Sequence, residues 1–232
     1  MERLDKVLSS SGVSSRSGVR ELVRKKRVVV NGKAAASADM KIAPADEILV
    51  DGLPLERLHA VTAVMNKPSG YVTSTSDPVS KTVMSLLPER FLRLGLKPVG
   101  RLDKDTTGLL IFTNDGALAH HLMSPKRKVE KEYLVTHTGT LTDTIIAAFR
   151  DGIVLADGTR CRSAALKRAG EHQSLVVISE GKYHQVKRMM GSVGLSVTEL
   201  ERVREGKITL SGLGRGETRE LTDAEIESLQ ID

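Results

Sequence analysis

The sequence predicts an α+β protein in two parts, a small N-terminal unit and a larger domain built on a mixed, largely antiparallel sheet. Three observations predict it. The chain has 232 residues, enough for two modest domains that each bury a real core. The N-terminal stretch carries helix-period apolar positions followed by two short β runs, each ending in a tight-turn pair, Asn31-Gly32 and Asp51-Gly52. From residue 61 onward, strand-like and helix-like runs mix at irregular spacing, which argues for neighbouring strands joined by turns and against repeated βαβ units.

Taken in order, residues 3–11 and 16–25 place Leu4, Val7 and Leu8, then Val19, Leu22 and Val23, at helical spacing, with Ser14 and Ser15 as cap candidates between them. Val28-Val29-Val30 reads as a strand entering the Asn31-Gly32 turn, and Ile48-Leu49-Val50 as its partner. Leu53 to His59 reads as a connection, because Pro54 interrupts it and no period runs through it. This gives an expected organisation of residues 1–55, a linker at 56–60 and a domain at 61–232. Within that domain, residues 62–65, 109–113, 132–136, 174–179 and 207–210 look extended. Residues 117–123, 142–150, 184–192 and 223–229 look helical, the last opened by a capping box of Thr222 and Glu225. Repeats and low-complexity tracts are absent.

Composition narrows the function classes. Lysine plus arginine outnumber aspartate plus glutamate 35 to 29, a net charge of +6 with an isoelectric point near 9.5, which favours an anionic partner such as nucleic acid. From Arg16 to Lys33 seven cations face one acid, Glu21, so this segment alone matches the excess of the whole chain. The single cysteine, Cys161, rules out a disulfide framework or a cysteine-based zinc site within one chain and fits a reducing compartment. The start, MERLDKVLSSSG, has no apolar signal-peptide core, and no run approaches the roughly 20 apolar residues of a membrane span, so a cytoplasmic protein without a membrane partner is expected. With no Trp, three Tyr and three Phe, a row of stacking aromatics is excluded, though one stacking residue is not.

Several motifs carry little. Gly212-Leu-Gly214-Arg-Gly216 lacks the Gly-Lys-Ser/Thr ending of a phosphate loop and no helix follows it, so no nucleotide cofactor is expected. His120 and His121 are adjacent, about 100° apart on a helix, where paired metal ligands sit four apart; no metal site is expected. A nucleophile elbow for a hydrolase triad is also missing.

Chemistry concentrates in three places. GRLDKDTTGLLIFTNDG (100–116) sets Asp103 between Arg101 and Lys104 ahead of an apolar strand, where cations favour an ionised carboxylate ready to act as nucleophile or base. A polar turn with Asp103 and Asp105 as solvated loop residues is the plainer alternative. Tyr133 falls in an alternating strand on the face of Lys131 and Val135, where tyrosines ordinarily just pack. Residues 179–190, SEGKYHQVKRMM, end a strand at a glycine and begin a basic helix that presents Lys187 and Arg188, unless they form an ordinary solvated face.

In this order GRLDKDTTGLL (100–110), EKEYLV (130–135) and SEGKYHQVKRM (179–189), with VTELERV (197–203) behind them, resemble the pseudouridine synthases over essentially the whole chain. MNKPSGYVTSTSDP (65–78) and the DTTGL spelling look closer to the RsuA-type branch that acts on small-subunit ribosomal RNA than to large-subunit relatives. RLDKVLSSSGVSSRSGVRELV with RVVVNGK is similar to the S-four-type RNA-binding module. It departs from that pattern at Lys26 and Ala45, where glycine is common.

The resemblance implies isomerisation of one uridine to pseudouridine in small-subunit (16S) ribosomal RNA, by base flipping and without cofactor or metal. Asp103 would be the essential aspartate, Lys187 its basic partner with Arg188 as the second choice, and Tyr133 the ring on the extruded uracil. Arg101 would fill the gap left by the base and Leu200 would line the pocket. Arg16, Arg20, Arg24, Lys26 and Arg27 would contact phosphates, which position a domain without reading sequence. The implied partner is ribosomal RNA or a ribosome assembly intermediate, met by a monomer. The alternatives are the same reaction on large-subunit RNA, a non-catalytic RNA-binding assembly protein, and a nucleosidase or glycosidase, which ordinarily needs two carboxylates flanking the bond.

Overall fold

The computed structural model describes residues 1–11, 13–55 and 60–230. It divides into two compact units, residues 1–61 with 88–96, and residues 62–87 with 97–232. Of the linker expected at 56–60, residues 56–59 lie outside the described residues.

The first unit contains β1 (Glu2–Arg3), α1 (Leu4–Ser10), α2 (Arg16–Arg24), β2 (Val28–Val30), β3 (Lys33–Ala34), β4 (Lys41–Ile42), β5 (Ile48–Val50), β6 (Leu53–Pro54) and α3 (Glu89–Arg93). Leu4 and Leu8, then Val19 and Val23, lie four apart, so each pair forms one helical stripe; both stripes are buried in a core with Val28, Val30, Ile42 and Ile48. Ser15, not Ser14, is the cap of α2, its hydroxyl accepting from the Gly18 N–H at 3.2 Å. The helix closes with Lys26 in the left-handed region (φ 53°), the Lys26 N–H donating to Val23 O and the Arg27 N–H to Leu22 O. That is the turn glycine usually makes, so the lysine there holds a strained backbone.

The stretch from Leu53, expected to be a connection because Pro54 interrupts it, begins instead with a strand. Asn31-Gly32 and Asp51-Gly52 all have positive φ, as two-residue hairpin turns require, and the second turn returns the chain as β6 alongside β5. The strand order β3-β2-β5-β6 leaves β6 at the edge, where a proline without an N–H removes no needed ladder bond.

The second unit holds β7 (Thr62–Lys67), β8 (Lys97–Pro98), β9 (Thr107–Thr113), α4 (Gly116–Met123), β10 (Lys131–His137), α5 (Asp143–Asp151), β11 (Ala165–Arg168), β12 (Gln173–Ile178), α6 (Gln185–Ser192), β13 (Val197–Glu205), β14 (Ile208–Thr209), β15 (Thr218–Glu220) and α7 (Asp223–Gln230). The sheet runs β11-β12-β10-β13-β9-β7-β15, with β14 added to β13 and β8 to β9. Every pairing is antiparallel except β13 with β9, so the mixed, largely antiparallel α+β architecture stands. β7 is buried along its whole length and β9 from Gly108 onward, and Val64, Leu109 and Ile111 share a core with Leu118, Leu122, Leu221 and Leu229. The capping box forms: the Thr222 N–H donates to Glu225 Oε2 at 2.9 Å and the Glu225 N–H to Thr222 Oγ1 at 3.3 Å.

The parallel pair needs Gly108. Its φ is 100°, and a Cβ there would stand 2.2 Å from the Arg202 carbonyl oxygen, so only glycine lets β9 and β13 approach this closely.

Candidate active site

The loop from Gly100 to Thr106, which feeds β9, is tied down by the segment after β7. The Thr73 hydroxyl donates to Leu102 O at 2.8 Å and accepts from the Leu102 N–H at 3.1 Å, while the Gly70 N–H donates to Lys104 O at 2.8 Å. From the end of β7 the wholly buried Lys67 ammonium donates to four carbonyls: Thr106 at 2.8 Å, Asp103 and Pro68 at 3.1 Å, and Lys104 at 3.2 Å. Burial lowers its pKa to about 8, against the opposing pull of Asp105 and Asp103. Three of those acceptors belong to the loop, so its backbone is gathered around one charge.

This fixes where Asp103 points. Its Oδ2 lies 3.5 Å from Lys187 Nζ and its Oδ1 3.4 Å from His184 Nε2, with about three-tenths of the side chain open to solvent. Lys187 lies nearer still to Asp105 Oδ1, at 2.6 Å, and that hydrogen bond holds the Asp105 carboxyl below its ordinary pKa. Arg188, one residue on and about 100° around α6, turns away to pair with Asp157. Of the two adjacent cations, Lys187 is therefore the one beside Asp103.

His184 and its neighbours are set by the loop before α6. Gln185, buried, donates to Glu180 Oε1 at 2.7 Å and accepts from the Lys182 N–H at 2.9 Å, and Glu180 also accepts from the Arg162 N–H at 2.9 Å. This anchors the entry to α6 on both sides of His184.

A cleft of about 980 Å³ opens beside these groups, lined by Arg101, Asp103, Thr106, Tyr133, His184 and Leu200 among others. Tyr133 and Leu200 are each only 7% exposed, and Arg101 is exposed. Burial pushes the Tyr133 phenol up, and the Arg202 guanidinium lies within hydrogen-bonding reach of it from the position directly opposite on β13. Arg202 donates from Nε to Leu109 O at 2.7 Å and stands 3.2 Å from Glu205, which faces Lys131 at 3.5 Å. A bulge makes this cluster possible. Glu132 and Tyr133 pair with Arg204 and Arg202, skipping Val203, so the strict alternation breaks and Glu205 joins Leu200 and Arg202 on the buried face.

The cationic residues of the N-terminal unit lie apart from these groups in the sequence. Arg16, Arg20 and Arg24 follow at four-residue spacing on α2, so they share one face of that helix. Arg24 is 3.9 Å from Glu21, Arg27 is paired with Asp51, and Lys26 follows the C-terminal cap of the helix. Among the described residues no ion pair engages Arg16, Arg20 or Lys26, and no group of three or more His, Cys, Asp or Glu side chains is placed to hold a metal.

Lys67, His184, Arg202 and Glu205 are not singled out by the sequence. His184 has a signal, its place in SEGKYHQVKRM. Lys67 has a weak one, a lysine closing an otherwise uncharged strand. Arg202 and Glu205 have none, since charged residues in VTELERVRE read as a solvated face.

A carboxylate presented to a cleft, flanked by Lys187 and His184 and floored by a buried tyrosine and leucine, suits covalent attack on, or proton removal from, a polar group that enters the cleft. The family model described as RNA pseudouridylate synthase matches residues 61–192, and the S4 domain model matches residues 2–48. The chain is 43% identical over 230 residues to the ribosomal small subunit pseudouridine synthase A of Yersinia pestis, covering 98% of this chain and 97% of that one. It is 35% identical over 239 residues to the ribosomal large subunit pseudouridine synthase B of Bacillus subtilis, covering 99% and 96%. Among solved structures, one titled crystal structure of pseudouridylate synthase superposes with a TM-score of 0.70 at 35% identity, covering 99% of this chain and all of that one.

Proposed function

The chain belongs to the RNA pseudouridylate synthase family, and from that premise we propose that it isomerises one uridine of small-subunit ribosomal RNA, with Asp103 as the reacting carboxylate. It is a pseudouridine synthase, and its N-terminal S4 domain is an RNA-binding module. The observation that carries the assignment of chemistry is the carboxylate of Asp103, facing both His184 and Lys187 at a cleft floored by Tyr133.

In this reading the target uridine leaves the RNA stack and enters the cleft, at an unstacking cost of a few kcal/mol. Asp103 attacks the anomeric carbon of the ribose or removes the proton from its neighbour, and the bond to nitrogen breaks. The base turns, carbon five rejoins the sugar as the bond to Asp103 breaks or the proton it took is returned, and the proton that carbon five loses beside the Tyr133 hydroxyl is matched by the one that the freed nitrogen gains. Lys187 offsets the charge of the reacting carboxylate, Leu200 packs against the base, and Arg101 enters the space that the base vacates. Arg188, held by Asp157, acts on the site only by supporting the entry to α6.

The preference for small-subunit RNA rests on the greater identity to a relative named for that subunit, 43% against 35% for the relative named for the large one. Mapping pseudouridine by carbodiimide in both ribosomal RNAs, from cells with and without this gene, tests it. One small-subunit signal should vanish and return on complementation. A vanished large-subunit signal would keep the chemistry and move the substrate, and no vanished signal would overturn the assignment to ribosomal RNA.

Binding to RNA is proposed to draw on Arg16, Arg20, Arg24 and Lys26. Each cation that neutralises a phosphate adds roughly 0.7 to 0.9 to the dependence of log affinity on log salt, because a counterion is released there. Replacing all four by glutamine should therefore flatten the salt slope by about 3, read from filter binding across a salt series. An unchanged slope would remove these residues from the interface. Arg27, spent on Asp51, is expected to contribute less.

A further inference from the structure

We infer that Tyr183, backed by His184, is a stacking platform for the RNA base next to the target uridine; this deepens the reading above and rests on it. The six aromatic side chains of the chain are used very unevenly. Phe91, Phe112, Phe149 and Tyr133 are buried and Tyr71 is half-buried, whereas Tyr183 is 71% exposed. A single exposed ring on a protein surface ordinarily needs no explanation. This one differs in what lies behind it and where it stands.

Behind it lies His184, ring on ring, with centroids 3.8 Å apart and planes 18° from parallel. Consecutive side chains do not normally stack, because a helix turns them about 100° apart and a strand sends them to opposite faces. The stack forms because His184 takes a left-handed backbone, φ 47° and ψ 34°, immediately before α6. Such a conformation is costly for a residue with a Cβ and is held only where its surroundings fix it, as Gln185 and Glu180 do here. The imidazole is fixed a second time by Asp103, 3.4 Å from Nε2. Tyr183 therefore rests on a ring that is itself tied to the reacting carboxylate, and its outer face is open.

Both rings line the cleft, together with the cations Arg101 and Lys104. A uridine that swings out of its stack leaves the faces of its neighbours uncovered, and an aromatic face at the cleft mouth can cover one of them. Every base has a π-face, so such a platform serves without reading sequence, and the surrounding cations suit the phosphates on either side. The ligand class is a nucleobase of locally unpaired RNA. The same contact would hold the target strand in register over Asp103.

The test uses the full-length protein and the RNA segment found by the mapping, with 2-aminopurine placed on either side of the target uridine in separate probes. Wild type is first assayed on the unlabelled segment. Binding should then quench the fluorescence of one probe, Tyr183→Ala should lose that quench and bind about tenfold more weakly, and Tyr183→Phe should restore both, since the ring and not the hydroxyl does the stacking. Pseudouridine formation by wild type, with quench and affinity both intact in Tyr183→Ala, would overturn the platform alone. Failure of wild type to form pseudouridine in the unlabelled segment would overturn the functional reading and the platform with it.

Discussion

Asp103→Asn is expected to lower pseudouridine formation by at least about four orders of magnitude while leaving RNA affinity within a few-fold. The substitution keeps the shape of the side chain and removes its negative charge. It leaves the loop in place, because what holds the loop are backbone carbonyls bonded to Lys67 and the exchange between Thr73 and Leu102, none of which involves the Asp103 carboxylate. Lys187 keeps its shorter partner, Asp105, so no cation is stranded and the melting temperature should hardly move. Binding energy drawn from phosphate contacts is likewise untouched. Single-turnover conversion and filter binding, measured on the same RNA, separate the two quantities. Turnover within tenfold of wild type would transfer the reacting role away from Asp103, and Asp105 would be the next residue to replace.

The degree to which this site can be read in the sequence follows from what each residue's neighbours in the chain reveal. Asp103, Tyr133 and Lys187 lie in three short motifs that together resemble the family's, so the resemblance implies their convergence; Asp103 and Tyr133 line one cleft and Lys187 stands 3.5 Å from Asp103. The choice between Lys187 and Arg188 is not legible, since both neighbours of a helix start carry charge and only the phase of α6 sends one to Asp103 and the other to Asp157. Strands with clean apolar runs, such as Leu109 to Thr113, are legible, and so are the helices other than α3 to within a residue or two; α3, five residues with one buried side chain, Phe91, is too short to show a period. β13 is not recognisable as a strand, although it is the longest and sits at the centre of the sheet between β10 and β9. Its buried positions include an arginine and a glutamate, and its bulge breaks the period of two, so both signals by which a strand is recognised are missing. β6 is lost to the usual rule that proline interrupts strands, a rule with its exception at sheet edges.

Lys67→Met is expected to cost about a hundredfold or more in turnover while changing stability much less than the loss of four hydrogen bonds suggests. Two large terms oppose each other in the folded protein. The ammonium satisfies four carbonyls, and leaving such acceptors unpaired costs about 1–3 kcal/mol each when no water replaces the donor. Against that, the charge itself is buried, and methionine removes the desolvation cost along with the bonds. Stability therefore changes by a difference of these terms, but geometry has no compensation: the loop carrying Asp103 loses its anchor, and a displacement of about 1 Å is enough for the rate loss. The pH dependence gives an independent check. The folded-state amine titrates at about 8 and the unfolded one at 10.5, so the unfolded chain binds more protons between those values and the contribution of Lys67 to stability rises with pH across that window. Relative to Lys67→Met, wild type should gain up to about 3 kcal/mol of unfolding free energy from pH 8 to 10.5, other groups cancelling in the comparison. Turnover should run the opposite way, falling in wild type above about pH 8 as the neutral amine, with one proton fewer and no charge, releases carbonyls of the loop. Lys67→Met, already without that anchor, should show no such limb. A variant with wild-type turnover, or one that keeps the alkaline limb, would mean that the loop holds Asp103 in place without Lys67.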